Sequence, residues 1–213
     1  MYRKFFKRFF DIVLSGMGII ILLPLFIICS ITGAIFMRGN PFFLHPRPGK
    51  NEKIFKLIKF RTMLNLKEEN GNWVNDTKRL NKYGKFLRAT SIDELLSLLN
   101  VFVGHMSLVG PRPLSLLYLP YYNEKEKHRH DVRPGLTGLA QVNGRNSLSW
   151  EQRFEYDLEY IRNISLINDI KILFKTVKKV LKHDDIGQAE EKPIAFHVLR
   201  KQELEKNNIL RRE

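Results

Sequence analysis

Hydrophobic and polar positions divide the chain sharply near its start. Residues 12 to 37, IVLSGMGIIILLPLFIICSITGAIFM, carry no charge, and Pro24 sits at their middle. At ~1.5 Å per residue the run reaches about 39 Å as a helix, enough to cross a hydrocarbon core of ~30 Å. Pro24 lacks an N–H and crowds the preceding turn, so a bend or break is expected there, leaving each half about one leaflet long. Arg3, Lys4, Lys7 and Arg8 precede the run, and Arg38, Arg47, Lys50 and Lys53 follow it. Basic residues favour the cytoplasmic side, so with both flanks basic neither end is the obvious one to translocate. A kinked spanning helix and a re-entrant helix are both open on these grounds. The run is too long for a signal-peptide core and lacks a small-residue cleavage site.

After it the pattern becomes that of a folded domain. Residues 38 to 50, with three prolines and two glycines, read as an extended exit loop. Residues 53 to 63, KIFKLIKFRTM, interleave lysines with apolar positions and suit a strand or a short interfacial helix. The polar residues 64 to 76 read as a loop or hairpin. Leu80, Tyr83 and Leu87 recur at helical spacing. Residues 91 to 103 and 114 to 130 read as helices, separated by Gly104 and the Gly110-Pro111-Arg112-Pro113 loop. Residues 131 to 147 form a glycine-rich loop, and 149 to 182 make one or two helices. The later part, IKILFKTVKKVLKH, sets an apolar stripe beside lysines, which suits either a helix flat on an anionic membrane or one packed on a core. Residues 183 to 213 mix seven acids with six bases and are expected to pack little.

Charge narrows the partners. The chain has 36 Lys+Arg against 22 Asp+Glu, a net +14, which suits nucleic acid, an anionic membrane or phosphorylated substrates. With an apolar anchor present, the last two are favoured; neither a helix-turn-helix pattern nor clustered stacking aromatics points to nucleic acid. Cys29 is the single cysteine and lies inside the apolar run, so disulfides and cysteine metal sites are excluded and a reducing compartment fits.

The candidate chemistry centres on Arg88-Ala-Thr-Ser-Ile-Asp93-Glu94. One reading is structural: Ser91 caps the helix, Glu94 reaches back as a capping box, and Asp93 favours the positive helix end. The other is catalytic. Lys59, Arg61 and Arg88 supply positive charge, and adjacent carboxylates suit metal-dependent phosphoryl transfer, one binding Mg²⁺ and the other attacking phosphorus. Two loops support it, Val109–Pro113 with Arg112 and Val132–Arg145 with Arg133 and Arg145, since glycine lets backbone approach an anion and arginine forks onto phosphate. His128-Arg129-His130-Asp131 invites a metal reading but lacks a further ligand set.

Taken together, these motifs resemble the bacterial sugar transferases, the monotopic phosphoglycosyl transferases that start glycan assembly on undecaprenyl phosphate. The match runs through FKRFFDIVL, the anchor proline, RPGKNEKIFKLIKFRTM, SIDELLSLLNVFVGHMSLVGPRPL, HRHDVRPGLTGLAQVNGR and SLINDIKIL, covering residues 1 to 182. The likeness is greatest to small members that transfer phospho-bacillosamine in protein N-glycosylation. It implies an α+β, mostly helical fold: a re-entrant membrane helix kinked at proline (1–38), a small cytoplasmic catalytic domain with interfacial amphipathic helices (39–182) and a tail (183–213). It implies transfer of a sugar 1-phosphate from a UDP-sugar to undecaprenyl phosphate at the inner membrane, among its phospholipids, with UMP released. Asp93 would be the nucleophile and Glu94 the Mg²⁺ ligand. Lys59, Arg88, Arg112, Arg133 and Arg145 would contact phosphate or nucleotide, Pro24 and Pro111 would be structural, and Asp169 matches a family carboxylate of open role. Leu23 stands where the family has serine before the proline, removing a hydroxyl that could satisfy freed backbone groups.

Overall fold

The computed structural model describes residues 1–68, 71–144, 147–182 and 194–210, and one long helix dominates it. After a helical turn at Tyr2–Phe6, α1 (Lys7–Phe36) runs unbroken through Pro24. The expected break is therefore absent: one missing donor does not end a helix whose next turn is packed, and here Phe26 and Cys29 are buried against Phe60 and Leu87. The buried residues of α1 are Asp11, Ser15, Phe26, Cys29 and Gly33, while Ile20, Ile21, Ile28, Ile31 and Ile35 are exposed. Such a broad exposed apolar face is not that of a soluble domain.

Both ends of α1 are tied to the same body. At its start Arg8 donates to the carbonyls of Val101 and Phe102 at 2.6 and 2.7 Å, and Asp11 accepts from Leu108 N at 2.9 Å and Ser107 Oγ at 3.1 Å. At its end the Tyr83 hydroxyl donates to the Cys29 carbonyl at 2.9 Å, and Asn81 Nδ2 to that of Phe36 at 3.0 Å.

The exit segment is not a loop. It forms β1 (Phe42–Pro48), antiparallel to β2 (Ile54–Phe60), with Phe42 opposite Phe60 and Pro48 opposite Ile54. Its prolines are tolerated because a two-stranded sheet has only edge strands. Next come α2 (Lys82–Ala89) and α3 (Ser97–Val103), which ends at Gly104 with φ +97°. Asn100, buried on α3, accepts from Ile58 N at 2.9 Å and donates to the Lys56 carbonyl at 2.8 Å, locking α3 to β2. Two short strands, β3 (Ser107–Val109) and β4 (Gly135–Thr137), pair in parallel.

The C-terminal part comprises α4 (Trp150–Arg162), α5 (Leu166–Lys182) and α6 (Phe196–Leu210). Helix α5 buries Asp169 and Ile172 but leaves Ile167, Ile170, Phe174 and Val177 exposed. Its apolar stripe is thus not spent on the core, which favours the membrane-surface alternative. Residues 194–210 correct the expectation that the tail packs little. Phe196 is fully buried, its ring 5.0 Å from that of Phe154 and 5.4 Å from that of Tyr122, and Arg200 pairs with Glu126 at 2.6 Å. A single buried aromatic residue anchors the segment, a signal lost in its mixed charges.

Glycines of the two loops are packed closely against backbone. A Cβ on Gly135 would lie 2.1 Å from Gly110 N, and one on Gly138 would lie 2.2 Å from the Gly110 carbonyl oxygen. These glycines let the two loops approach each other, backbone on backbone. Gly135→Ala should accordingly destabilise the protein by at least about 2 kcal/mol, read as a lowered melting temperature.

Candidate active site

Three segments converge on the acid pair. Strand β2 presents Lys59, the Gly110–Pro113 loop presents Arg112, and a 3₁₀ turn, Ile92–Glu94, carries both acids. The turn is entered through Ser91 at φ +56°, ψ +16°, a left-handed conformation uncommon outside glycine. Ser91 makes no side-chain cap bond, so the capping-box reading fails. Strain of this kind at an acid pair is typical of sites that hold reactive groups in fixed positions.

Glu94 is instead an ion-pair hub. Lys59 Nζ and Arg112 Nη2 each lie 2.6 Å from its Oε1, and Arg112 Nη1 lies 3.1 Å from its Oε2. Burial alone would push the Glu94 carboxyl up, but Arg112 and Lys59 outweigh it and hold the group well below the usual carboxylate range. Asp93 is the opposite case. It accepts no hydrogen bond among the described residues, and burial together with the neighbouring Glu94 charge raises its carboxyl above the ordinary value despite Lys59, Arg88 and Arg112.

That shift carries a sign. A neutral carboxyl is a poor nucleophile, so any activity that needs ionised Asp93 is lost as pH falls through its raised pKa. The acid limb of the pH–rate profile should lie above the ~3.9 of a free aspartate. Replacing Lys59 by Met should move that limb further up, and a limb at or below ~3.9 in the wild type would argue against this role.

Two polar cavities flank the pair. One, about 530 Å³, holds Asp93 and Glu94 with Lys59, Arg61 and Arg88, the last donating from Nε to Thr62 Oγ1 at 2.9 Å. The other, about 270 Å³, is lined by His45, Arg47, Lys59, Glu94, Arg112 and Tyr118. His45 is held neutral, its pKa lowered to about 4 by burial and by Arg47 and Lys59. Both cavities bring several lysine and arginine side chains to the acid pair, in excess over their acids, as suits a pyrophosphate-bearing ligand.

Other residues singled out in the sequence sit elsewhere. Arg133 donates from Nε to the Gly104 carbonyl at 2.8 Å and lines neither cavity. Asp169 accepts from Lys7 Nζ and Tyr2 Oη at 2.6 Å and Tyr160 Oη at 2.7 Å, so it ties α5 to the start of the chain. The carbonyl of Pro111 accepts from Gly135 N at 2.8 Å, joining the two loops. Arg145 lies outside the described residues. In the histidine cluster, His130 is buried against Tyr122 while His128 is exposed and paired with Asp131.

Sequence reading missed two features. Arg47 passed for a flanking charge, although its place in β1 brings it into the polar cavity. Arg129 is almost fully buried, pairs with Asp157 at 2.8 Å and donates to the Arg112 carbonyl at 2.8 Å. It therefore fixes the backbone of the residue that neutralises Glu94. The only signal for it was an arginine between histidines.

A magnesium ion fits the donor set. Mg²⁺ needs only one or two carboxylates, its remaining ligands being water and substrate phosphate. Asp93 is unengaged among the described residues, and Glu94 uses three of roughly four lone-pair positions.

The acid pair thus sits among cations, on a domain strapped along an exposed apolar helix. The chain belongs to the bacterial sugar transferase family, whose profile matches residues 2–183. It is 47% identical over 183 residues to a sugar transferase of Bacillus subtilis named EpsL, described as uncharacterized, covering 85% of this chain and 90% of that one. It is 40% identical over 199 residues to an undecaprenyl-phosphate galactose phosphotransferase of Salmonella typhimurium, covering 85% of this chain and 41% of that protein. It is also 40% identical over 185 residues to a UDP-glucose:undecaprenyl-phosphate glucose-1-phosphate transferase of Klebsiella pneumoniae, covering 82% and 40%. The chain thus spans less than half the length of these last two relatives.

Proposed function

We propose that this protein transfers a sugar 1-phosphate from a UDP-sugar to undecaprenyl phosphate and releases UMP. The observation that carries this reading is the division of labour in the acid pair: Glu94 is neutralised by Lys59 and Arg112, while Asp93, near Lys59 and Arg88 in the same cavity, accepts no hydrogen bond among the described residues. The names of the relatives support it: the Salmonella protein is an undecaprenyl-phosphate galactose phosphotransferase and the Klebsiella one a UDP-glucose:undecaprenyl-phosphate glucose-1-phosphate transferase.

The route is a double displacement. An Asp93 carboxylate oxygen attacks the β-phosphorus, the bond from that phosphorus to the bridging oxygen breaks, and UMP leaves with the oxygen. An oxygen of the polyprenyl phosphate then attacks the same phosphorus, the Asp93 oxygen–phosphorus bond breaks, and the carboxylate is restored. Arg88, Lys59 and Arg112 bind and orient the phosphates and offset charge as it shifts between oxygens. Mg²⁺ held by Glu94 would add charge neutralisation at the pyrophosphate.

A bacillosamine-type UDP-sugar is the donor favoured by resemblance. UDP-glucose, UDP-galactose, UDP-GlcNAc and UDP-GalNAc are its competitors. UMP release measured across that panel, with undecaprenyl phosphate and Mg²⁺ present, tests the reaction and selects the donor. No UMP from any of them would contradict it.

We also propose that α1, unbroken but bent at Pro24, enters and leaves the inner membrane from one face, among its phospholipids, as a re-entrant anchor with the catalytic domain cytoplasmic. A spanning helix must place its ends on opposite sides of ~30 Å of hydrocarbon. Here Arg8 and Asn81, at the two ends, both join α1 to one domain. Cysteines placed at Arg3 and Asn40 should therefore both react with a membrane-impermeant thiol reagent in inside-out vesicles and neither in intact cells. Labelling at position 3 from outside the cell would indicate a spanning helix.

A further inference from the structure

Glu94 walls three cavities, and only the two cationic ones suit a nucleotide sugar. The third, about 190 Å³, is lined mainly by Leu95, Leu108, Leu136, Val142, Leu173 and Val180. Thr137, Gln141, Thr176 and Lys179 line it as well, but most of its exposed wall is apolar and offers a uridine or sugar less to bond than the other two. Ser91 and Glu94 line it too, and both also line the cavity that contains Asp93.

We infer that this cavity receives the first isoprenoid units of the lipid acceptor, with the acceptor's phosphate at the Ser91–Glu94 end. The inference rests on the reading that the acceptor is a polyprenyl phosphate, and three further observations support it. The acceptor's oxygen must reach a phosphorus carried on Asp93, and the shared residues Ser91 and Glu94 make the apolar cavity contiguous with that position. Helix α5 supplies Leu173, Thr176 and Val180 to the cavity wall, while Ile170, Phe174 and Val177 on its adjoining face are exposed. An apolar surface thus continues from the cavity to the face that α5 offers a membrane, where the rest of a long isoprenoid chain would stay. The wall itself is fixed: the hydroxyls of Thr137 on β4 and Thr176 on α5 are hydrogen-bonded at 2.7 Å. The same contact between a charged rim and an apolar hollow would discriminate an isoprenoid phosphate from a free phosphate, which gains nothing from the leucines.

The test uses the full chain in bacterial lipid and a polyprenyl phosphate bearing a diazirine in its phosphate-proximal isoprene. Irradiation should place adducts on peptides containing Leu136–Val142 and Leu173–Val180. Unlabelled polyprenyl phosphate should compete them away, and phosphatidic acid should not. Leu173→Trp, which fills the cavity, should weaken that labelling. It should also raise KM for polyprenyl phosphate about tenfold relative to KM for the UDP-sugar, the loss expected when a few methylene-sized contacts are displaced. Should Leu173→Trp fold poorly, Val180→Trp at the half-exposed rim gives the same reading. Adducts confined to α1, competition by phosphatidic acid, or an unmoved KM ratio would overturn the inference. Labelling needs no turnover, so its failure is separate from failure of the proposed chemistry, which UMP release reads.

Discussion

Asp93→Asn should abolish sugar-phosphate transfer, lowering UMP release on the order of 10⁴-fold or more, the scale of loss when a covalent nucleophile is removed. The amide is nearly isosteric but cannot form and release an acyl phosphate. The fold should survive, and the direction of the Asp93 shift gives a sharper expectation. A carboxyl raised by burial and by Glu94 is one whose ionised form costs the folded state free energy. That cost is present above the raised pKa and disappears as pH falls below the unfolded value. Asp93→Asn should therefore melt no lower than wild type at neutral pH, and higher if the shift is large. Activity retained with a lowered melting temperature would make Asp93 a structural residue.

Glu94→Gln should have the second-largest effect, in the opposite direction on stability. Removing the charge leaves Lys59 and Arg112 facing each other unpaired, at a cost of about 1–3 kcal/mol. Because the folded-state pKa of Glu94 is depressed, its contribution is full above the unfolded value of ~4.3 and is lost as pH falls toward the folded one. The gap in melting temperature between wild type and variant should accordingly narrow below about pH 4. Activity should fall on the order of 10²-fold or more, since Arg112 loses its fixed position and a neutral amide is a poor Mg²⁺ ligand. Thermal melts across pH and steady-state UMP release check the two halves. Near-normal turnover by the folded variant would remove Glu94 from the chemistry.

Much of this arrangement was legible in the chain. The uncharged run, the strand or helix at KIFKLIKF, Gly104 as a helix stop and the acid pair all rest on local periodicity or composition, which the fold respects. What escaped reading was non-local. Nothing near Ser91 in sequence says that its φ is positive, and Leu87 and Leu96 on either side of it join one core. A capping box was the natural local reading of Ser91 and Glu94, and it lost because Lys59 and Arg112 lie across the site and offer ion pairs worth more than one cap. Arg133 looks like a phosphate ligand within its loop, and the bond from its Nε to the Gly104 carbonyl joins segments that lie apart in sequence. The glycines were read as room for an anion, whereas Gly110, Gly135 and Gly138 face backbone of the other loop or their own. Asp169 had no readable role because its partners, Tyr2, Lys7 and Tyr160, come from both ends of the sequence.

The central claim is that the phospho-sugar rests on Asp93 before the lipid acceptor takes part. The most direct test is to incubate the full-length wild-type protein with its UDP-sugar and Mg²⁺, without polyprenyl phosphate. UMP release and the mass of the peptide that contains Asp93 are then followed together. A covalent route predicts a burst of about one UMP per active enzyme and a matching phospho-sugar adduct, both consumed when polyprenyl phosphate is added. UMP that appears only once the acceptor is present, with no adduct at any time, would contradict it and assign the attack on phosphorus to the polyprenyl phosphate itself.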